Sequence, residues 1–203
     1  MDTYAFVLDL ERSSPLSGGP LSGSPLSGGA APPLAEGLRR ELAFEQAGPA
    51  GHWLVVYQEG PAAGEVTSIP GVKVPQVELA ITAKPAAGAA GNVYAFTIPL
   101  VPGLTGEWLE FCAELAGPRR DDLQGQRDRL GLAEEVFLQS SDGQDMVIPV
   151  IQGNSPWEED HRIASSAHSF DRWFTMQLAR FHGFDPAGPP PPRNIAVFDL
   201  VGR

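Results

Sequence analysis

The chain has 203 residues, enough for one large domain or two small ones, with 42% hydrophobic and 19% charged residues, a globular composition. Its net charge of −11, with lysine only at Lys73 and Lys84, offers no basic stripe to neutralise a phosphate backbone, so nucleic acid is excluded as a partner. The single cysteine, Cys112, excludes an intrachain disulfide and a cysteine zinc site, and no apolar run is long enough to span a bilayer.

The first element is a strand, TYAFVLDL at 3–10. It is followed at 13–33 by SSPLSGGPLSGSPLSGGAAPP, three copies of PLSG with too little apolar mass to offset chain entropy, which predicts a flexible insert. The helix formers of LAEGLRRELAFEQ predict a helix over 34–46, and HWLVVYQ at 52–58 and VELAIT at 77–82 predict strands. The prolines and glycines of 59–76 place a loop where a second helix would stand, and PAAGAAG at 85–91 marks a boundary.

Beyond that boundary the opening phrase returns as VYAFTIPL at 93–100, again a strand. Leu104, Trp108, Phe111, Cys112 and Leu115 recur at helical spacing, with Thr105 in capping position and Gly117-Pro118 as the stop. A second helical segment runs from Pro118 to Leu130, closed by Gly131, and its interleaved arginines and acids read as a solvated face. EEVFLQ and MVIPVIQ flank Asp142-Gly143, a hairpin signal. Phe170, Trp173, Phe174, Leu178 and Phe181 then share the apolar face of a helix beginning near Ser169 and ending at Gly183, and IAVFDLV at 195–201 is the closing strand.

The order β-α-β-β-α-β over 93–203 is the ferredoxin-like pattern, and the first half reads as a degenerate copy. The expected fold is therefore α+β: tandem ferredoxin-like units, with antiparallel sheets packed as an α/β barrel. The expected division is a first half at 1–84 carrying the insert 13–33, a linker at 85–92 and a complete half at 93–203. With acidic Asp2 where a signal peptide would carry positive charge, the expected compartment is the cytoplasm.

Such a tandem resembles the dimeric α/β barrel superfamily. Within 93–203, RRDDLQGQRDRLGLAEEVFLQ and SFDRWFTMQLARFHGFD are similar to a family of uncharacterised bacterial proteins of that fold. The resemblance implies two sheets face to face and relatives that include cofactor-independent monooxygenases, and it supplies no established activity.

Residues 157–185 hold the candidate chemistry. His168 beside Asp171 makes an acid/base pair or, alternatively, a helix start in which Ser169 caps and Asp171 meets the dipole; with Arg172 these are the catalytic candidates. Trp157, His161 and His182 are the ligand-binding candidates. Glu158 with His161, plus His168 or His182, has the ExxH spacing of a metal pair, but no second ExxH or HxxxH supplies a full shell, so no metal is expected, and no Walker, GxGxxG or GxSxG motif calls for a cofactor. Cys112, on the apolar face of its helix, reads as an inert buried thiol. The function expected is a small-ligand-binding or assembly module, with monooxygenase or isomerase chemistry on a small organic molecule as the alternative. Its expected partners are a small molecule and further copies of the chain, not a membrane.

Overall fold

The computed structural model describes residues 3–10, 33–48, 51–69, 73–84, 91–141, 143–186, 188 and 193–202. In chain order these form β1 (Thr3–Asp9), β2 (Arg40–Gly48), β3 (Gly51–Glu59), β4 (Glu78–Ala83), β5 (Asn92–Ala95), β6 (Ile98–Pro99), α1 (Thr105–Ala116), α2 (Arg120–Leu130), β7 (Ala133–Ser141) and β8 (Gln144–Gly153). A 3-10 turn (Pro156–Glu158), α3 (Glu159–Ala164), α4 (Ser169–His182) and β9 (Ile195–Val201) complete the order. The class is α+β, with two antiparallel sheets and four α-helices among the described residues. None of those helices is long and apolar enough to cross a membrane. Most of the PLSG tract, the 85–90 part of the expected linker and Asp142 of the expected turn lie outside the described residues.

The chain divides into two compact units, Met1–Val77 with Pro192–Arg203, and Glu78–Pro191. In the first unit the sheet order is β1-β3-β2-β9. Phe6, Ala43, Leu54 and Val56 form the centre of one face, joined by Tyr4, Leu8, Ile69, Val74, Val77 and Leu200. The segment 60–69 is fastened beside this face by a buried carboxylate. Glu41 accepts the Thr67 hydroxyl at 2.8 Å, the Ser68 N–H at 2.9 Å and the Gln58 amide at 3.3 Å. Gln58 also accepts the Gly64 N–H at 3.0 Å and donates to the Val66 carbonyl at 2.7 Å, so each buried polar group of the cluster finds a partner.

The second unit has the sheet order β4-β7-β8-β5, with β6 pairing β8. Helices pack against its sheet through Trp108, Phe111, Cys112, Leu115 and Leu123 from α1 and α2 and through Ile163, Phe170, Phe174 and Phe181 from α3 and α4. The expected stops hold: Gly131 (φ 66°) and Gly183 (φ 69°) end α2 and α4 in the left-handed conformation that glycine adopts without steric cost. The expected starts do not. Thr105 is already inside α1 and its hydroxyl donates to Asp145, and no side chain caps the start of α4, which Ser169 opens.

The strand expected over 93–100 is broken into β5 and β6, and three further strand assignments depart from expectation. Residues 40–48 are β2, not part of a helix over 34–46: the helix propensity of Leu, Glu and Arg amounts to tenths of a kcal/mol per residue. Against it stands a complete antiparallel ladder from Arg40–Glu59 to Gly48–Gly51. Burial of four successive residues, Glu41 to Phe44, shows that both faces of β2 are covered, a strand property that helical spacing does not produce. β4, expected in the first half, pairs with β7 of the second unit. β9, expected to close the second sheet, pairs instead with β2 of the first, where Arg40 binds Asp199 bidentately at 2.9 and 2.8 Å. Each sheet thus takes one edge strand from the half of the chain that builds the other, and the boundaries 1–84 and 93–203 do not delimit the compact units. Among the described residues neither sheet closes on itself, since β1 and β9, and β5 and β4, are edges.

Candidate functional site

In the second unit the sheet and helices leave a cavity of about 50 Å³. Strand alternation aims Glu134 and Val136 of β7 at it from one face, together with Val147 and Pro149 of β8. Helical spacing supplies Glu159 and Ile163 from α3, and Phe174, Leu178 and His182 from α4, each four residues apart. Trp108 and Phe111 of α1 and Phe96 after β5 add aromatic surface. The wall is therefore mainly apolar, with three ionisable groups: Glu134, Glu159 and His182.

The two glutamates converge on Arg127, which is fully buried; one terminal guanidinium nitrogen donates to Glu134 and the other to Glu159. Burial pushes the guanidinium pKa down, but the charges of Glu134 and Glu159 outweigh it and raise the pKa overall, so Arg127 stays protonated. Its Nε, and Oε1 of the adjacent buried Gln126, have no hydrogen-bond partner among the described residues. The guanidinium carbon also lies 5.8 Å from the centroid of the Phe174 ring that lines the cavity.

His182 meets the Pro99 carbonyl through Nδ1 at 3.0 Å. A carbonyl only accepts, so Nδ1 carries the proton. Burial pushes the imidazole pKa down against the raising effect of that hydrogen bond, which leaves the ring neutral at pH 7 and Nε2 without a proton. Cys112 is no nucleophile: burial, helped by the charge of Glu134, pushes its thiol up to about 12.

Of the catalytic and ligand-binding candidates named from the sequence, His182 alone is among the residues lining this cavity. His168 is exposed at the residue before α4, Arg172 is exposed, and Asp171 is buried against α2, where its carboxylate accepts the Gln126 amide and the Arg129 guanidinium, both at 2.8 Å. Asp171 thus ties α4 to α2, and its observed partners do not include His168. Trp157 is half-buried in the 3-10 turn, and Glu158 and His161 are exposed. Among the described residues no three His, Cys, Asp or Glu side chains are placed to hold a metal ion. Trp173 is half-buried, packed on Phe170 and Phe111, and the cation over its ring is Arg119, 3.9 Å from the centroid, rather than its chain neighbour Arg172.

Arg127, Glu134 and Glu159 were not legible as a group. Arg127 stands in QGQRDR, an alternation typical of solvated helices, and Glu159 in the acidic run WEED. The available signal was Glu134-Glu135 opening an otherwise apolar strand, since a buried strand carries a carboxylate only with a partner. No known protein family, curated protein or solved structure matches the chain.

Proposed function

We propose that the chain is a small-ligand-binding module, and that the ligand, or a small end group of it, enters the cavity between the sheet and helices of the second unit. The single observation that carries this reading is the cavity itself: an apolar wall with a few polar groups converging on it is the common form of a binding site. At about 50 Å³ it takes only a few heavy atoms, well below the several hundred Å³ of sites that enclose a drug-sized molecule. Monooxygenase or isomerase chemistry draws no support from the placement of His168, Asp171 and Arg172, which do not surround a common space.

The same proposal includes the tandem ferredoxin-like plan, with the first copy degenerate and the pair related to the α/β barrels. What supports it is the shared strand order of the two sheets, and the position of α1–α2 and α3–α4 on either side of the β7–β8 hairpin, where the pattern β-α-β-β-α-β has its two helices.

The test is occupancy of the cavity. Xenon, which enters dry apolar cavities, should shift the methyl resonances of Ile81, Val147 and Ile163 in NMR spectra of the full chain, and Val147→Leu, which narrows the space, should reduce the shift. In parallel, mass spectrometry of molecules released on denaturation should find a compound carried by the wild type and depleted in that variant. Unshifted methyls would defeat the reading.

A further inference from the structure

We infer that the cavity of the second unit selects a small alcohol, or the hydroxyl end of a longer molecule, whose O–H donates to Nε2 of His182. The inference rests on the ligand-binding reading above and names the ligand chemistry of that cavity.

The placement of one ring leads to it. His182 is the last residue of α4, and the end of that helix is fastened to residues 99–101. The Phe181 carbonyl accepts the Val101 N–H at 2.8 Å, and His182 Nδ1 donates to the Pro99 carbonyl at 3.0 Å. The second bond fixes the tautomer: the proton sits on Nδ1, and Nε2 keeps its lone pair. The ring lines the cavity, and Nε2 has no hydrogen-bond partner among the described residues. With Nδ1 turned to the Pro99 carbonyl, Nε2 is the polar atom that the ring presents to a ligand. Burial holds the imidazole pKa below its ordinary value, so this acceptor persists at pH 7.

The rest of the wall fits the remainder of such a molecule. Val147, Ile163, Phe174 and Leu178 offer apolar surface to an alkyl group. The carboxylates of Glu134 and Glu159 are engaged by Arg127 and need no donor from a ligand. An acceptor covered without a donor costs free energy, so a ligand that brings an O–H is favoured over one that brings only a second acceptor, such as an ether. The indole N–H of Trp108, also on the wall, would serve an alcohol and an ether oxygen alike and does not discriminate between them. The volume of about 50 Å³ limits what enters to about the size of ethanol.

The experiment titrates the full chain with ethanol and with its isomer dimethyl ether. Binding is followed by the methyl signals of Ile81, Val147 and Ile163 and by the ¹⁵N signal of His182 Nε2. Ethanol is expected to bind about fivefold more tightly than the ether, the value of one neutral hydrogen bond. The Nε2 signal should move upfield with ethanol, as the atom accepts a hydrogen bond, and stay in place with the ether. In His182→Phe the preference should vanish while xenon still enters. The Nε2 signal of the wild type carries the test alone if that variant fails to fold. Equal binding of the two isomers, an Nε2 signal unmoved at saturating ethanol, or a preference that survives in His182→Phe would overturn the alcohol assignment while xenon occupancy left the cavity reading intact. No response to xenon or to any probe would overturn both.

Discussion

Glu41 and Glu134 occupy the same place in two sheets of the same strand order. Glu41 stands opposite Gln58, two residues before Gly60, and Glu134 stands opposite Ile151, two residues before Gly153. The edge strands agree in register as well, since Ala5 faces Tyr57 and Ala95 faces Val150, each three residues before the same glycines. Both glycines stand against backbone: a Cβ on Gly60 would lie 2.7 Å from the Gly37 carbonyl oxygen, and one on Gly153 3.0 Å from the Gly131 carbonyl oxygen. In the first unit the carboxylate is satisfied by a loop, through Thr67 and Ser68, and by Gln58 of β3. In the second it meets Arg127 and borders a cavity. Position in the sheet is shared; the partner decides the role.

Removing the cation of the buried triad is expected to be costly. Arg127→Met removes the guanidinium that both buried carboxylates, Glu134 and Glu159, bind and should destabilise the chain by about 3–5 kcal/mol, measured by urea unfolding. Replacing all three together, Arg127→Met with Glu134→Leu and Glu159→Met, should recover most of that loss, because no isolated charge remains. A triple variant as unstable as the single one would show that packing rather than charge is at stake.

A chain cut between residues 87 and 88 should remain associated. The first fragment keeps β4, which the sheet of the second unit needs, and the second fragment keeps β9, which pairs with β2. Co-expressed fragments are therefore expected to co-purify and to sediment as one species at micromolar concentration. Two fragments that each fold as separate monomers would contradict the strand exchange.

Asp171 should make stability depend on pH at the acid end. Burial pushes its carboxyl up, but hydrogen bonds from Ser166, Gln126 and Arg129 pull it further down, to a folded value below the ordinary one. A depressed folded value means that the stabilisation is complete above the unfolded value of about 3.9 and is lost as the pH falls below it through the folded value. The stability difference between the wild type and Asp171→Asn should accordingly shrink as the pH drops below about 4. A difference that is constant from pH 2 to pH 7 would mean that the carboxylate charge contributes nothing.

Among the aromatic residues, Phe111 rather than Trp173 should be the costlier truncation. The Phe111 ring lies 5.3 to 6.0 Å from those of Phe181, Trp173 and Phe174 and is buried, so Phe111→Ala should cost about 3–5 kcal/mol. Trp173 is half-exposed and covers the cluster from outside, and Trp173→Ala should cost about 1–2 kcal/mol. Thermal unfolding of the two variants would reverse this ranking if Trp173 were the central packing residue.

The sequence by itself determined the elements whose evidence is local. α4 is written in the spacing of Phe170, Phe174 and Phe181 and in Gly183, and the β7–β8 hairpin in two apolar runs on either side of a short turn. β1 and β5 are written in the repeated YAF, which places both at sheet edges beside the second strand of a hairpin. The tertiary structure alone decided that RELAFEQ is a strand, although its helix formers suggest otherwise and only its likeness to AEEVFLQ points the other way. It alone sent β4 and β9 to the sheets they complete, and it alone gathered Arg127, Glu134 and Glu159 from α2, β7 and α3 around one buried charge. The physical reason is the range of the forces involved. Periodicity and turn chemistry act over a few residues and select a conformation and a face. Which backbone edge a strand pairs with, and which buried ion finds which partner, depends on polar groups left unsatisfied by segments far away in the chain, and those exist only once the sheets have formed.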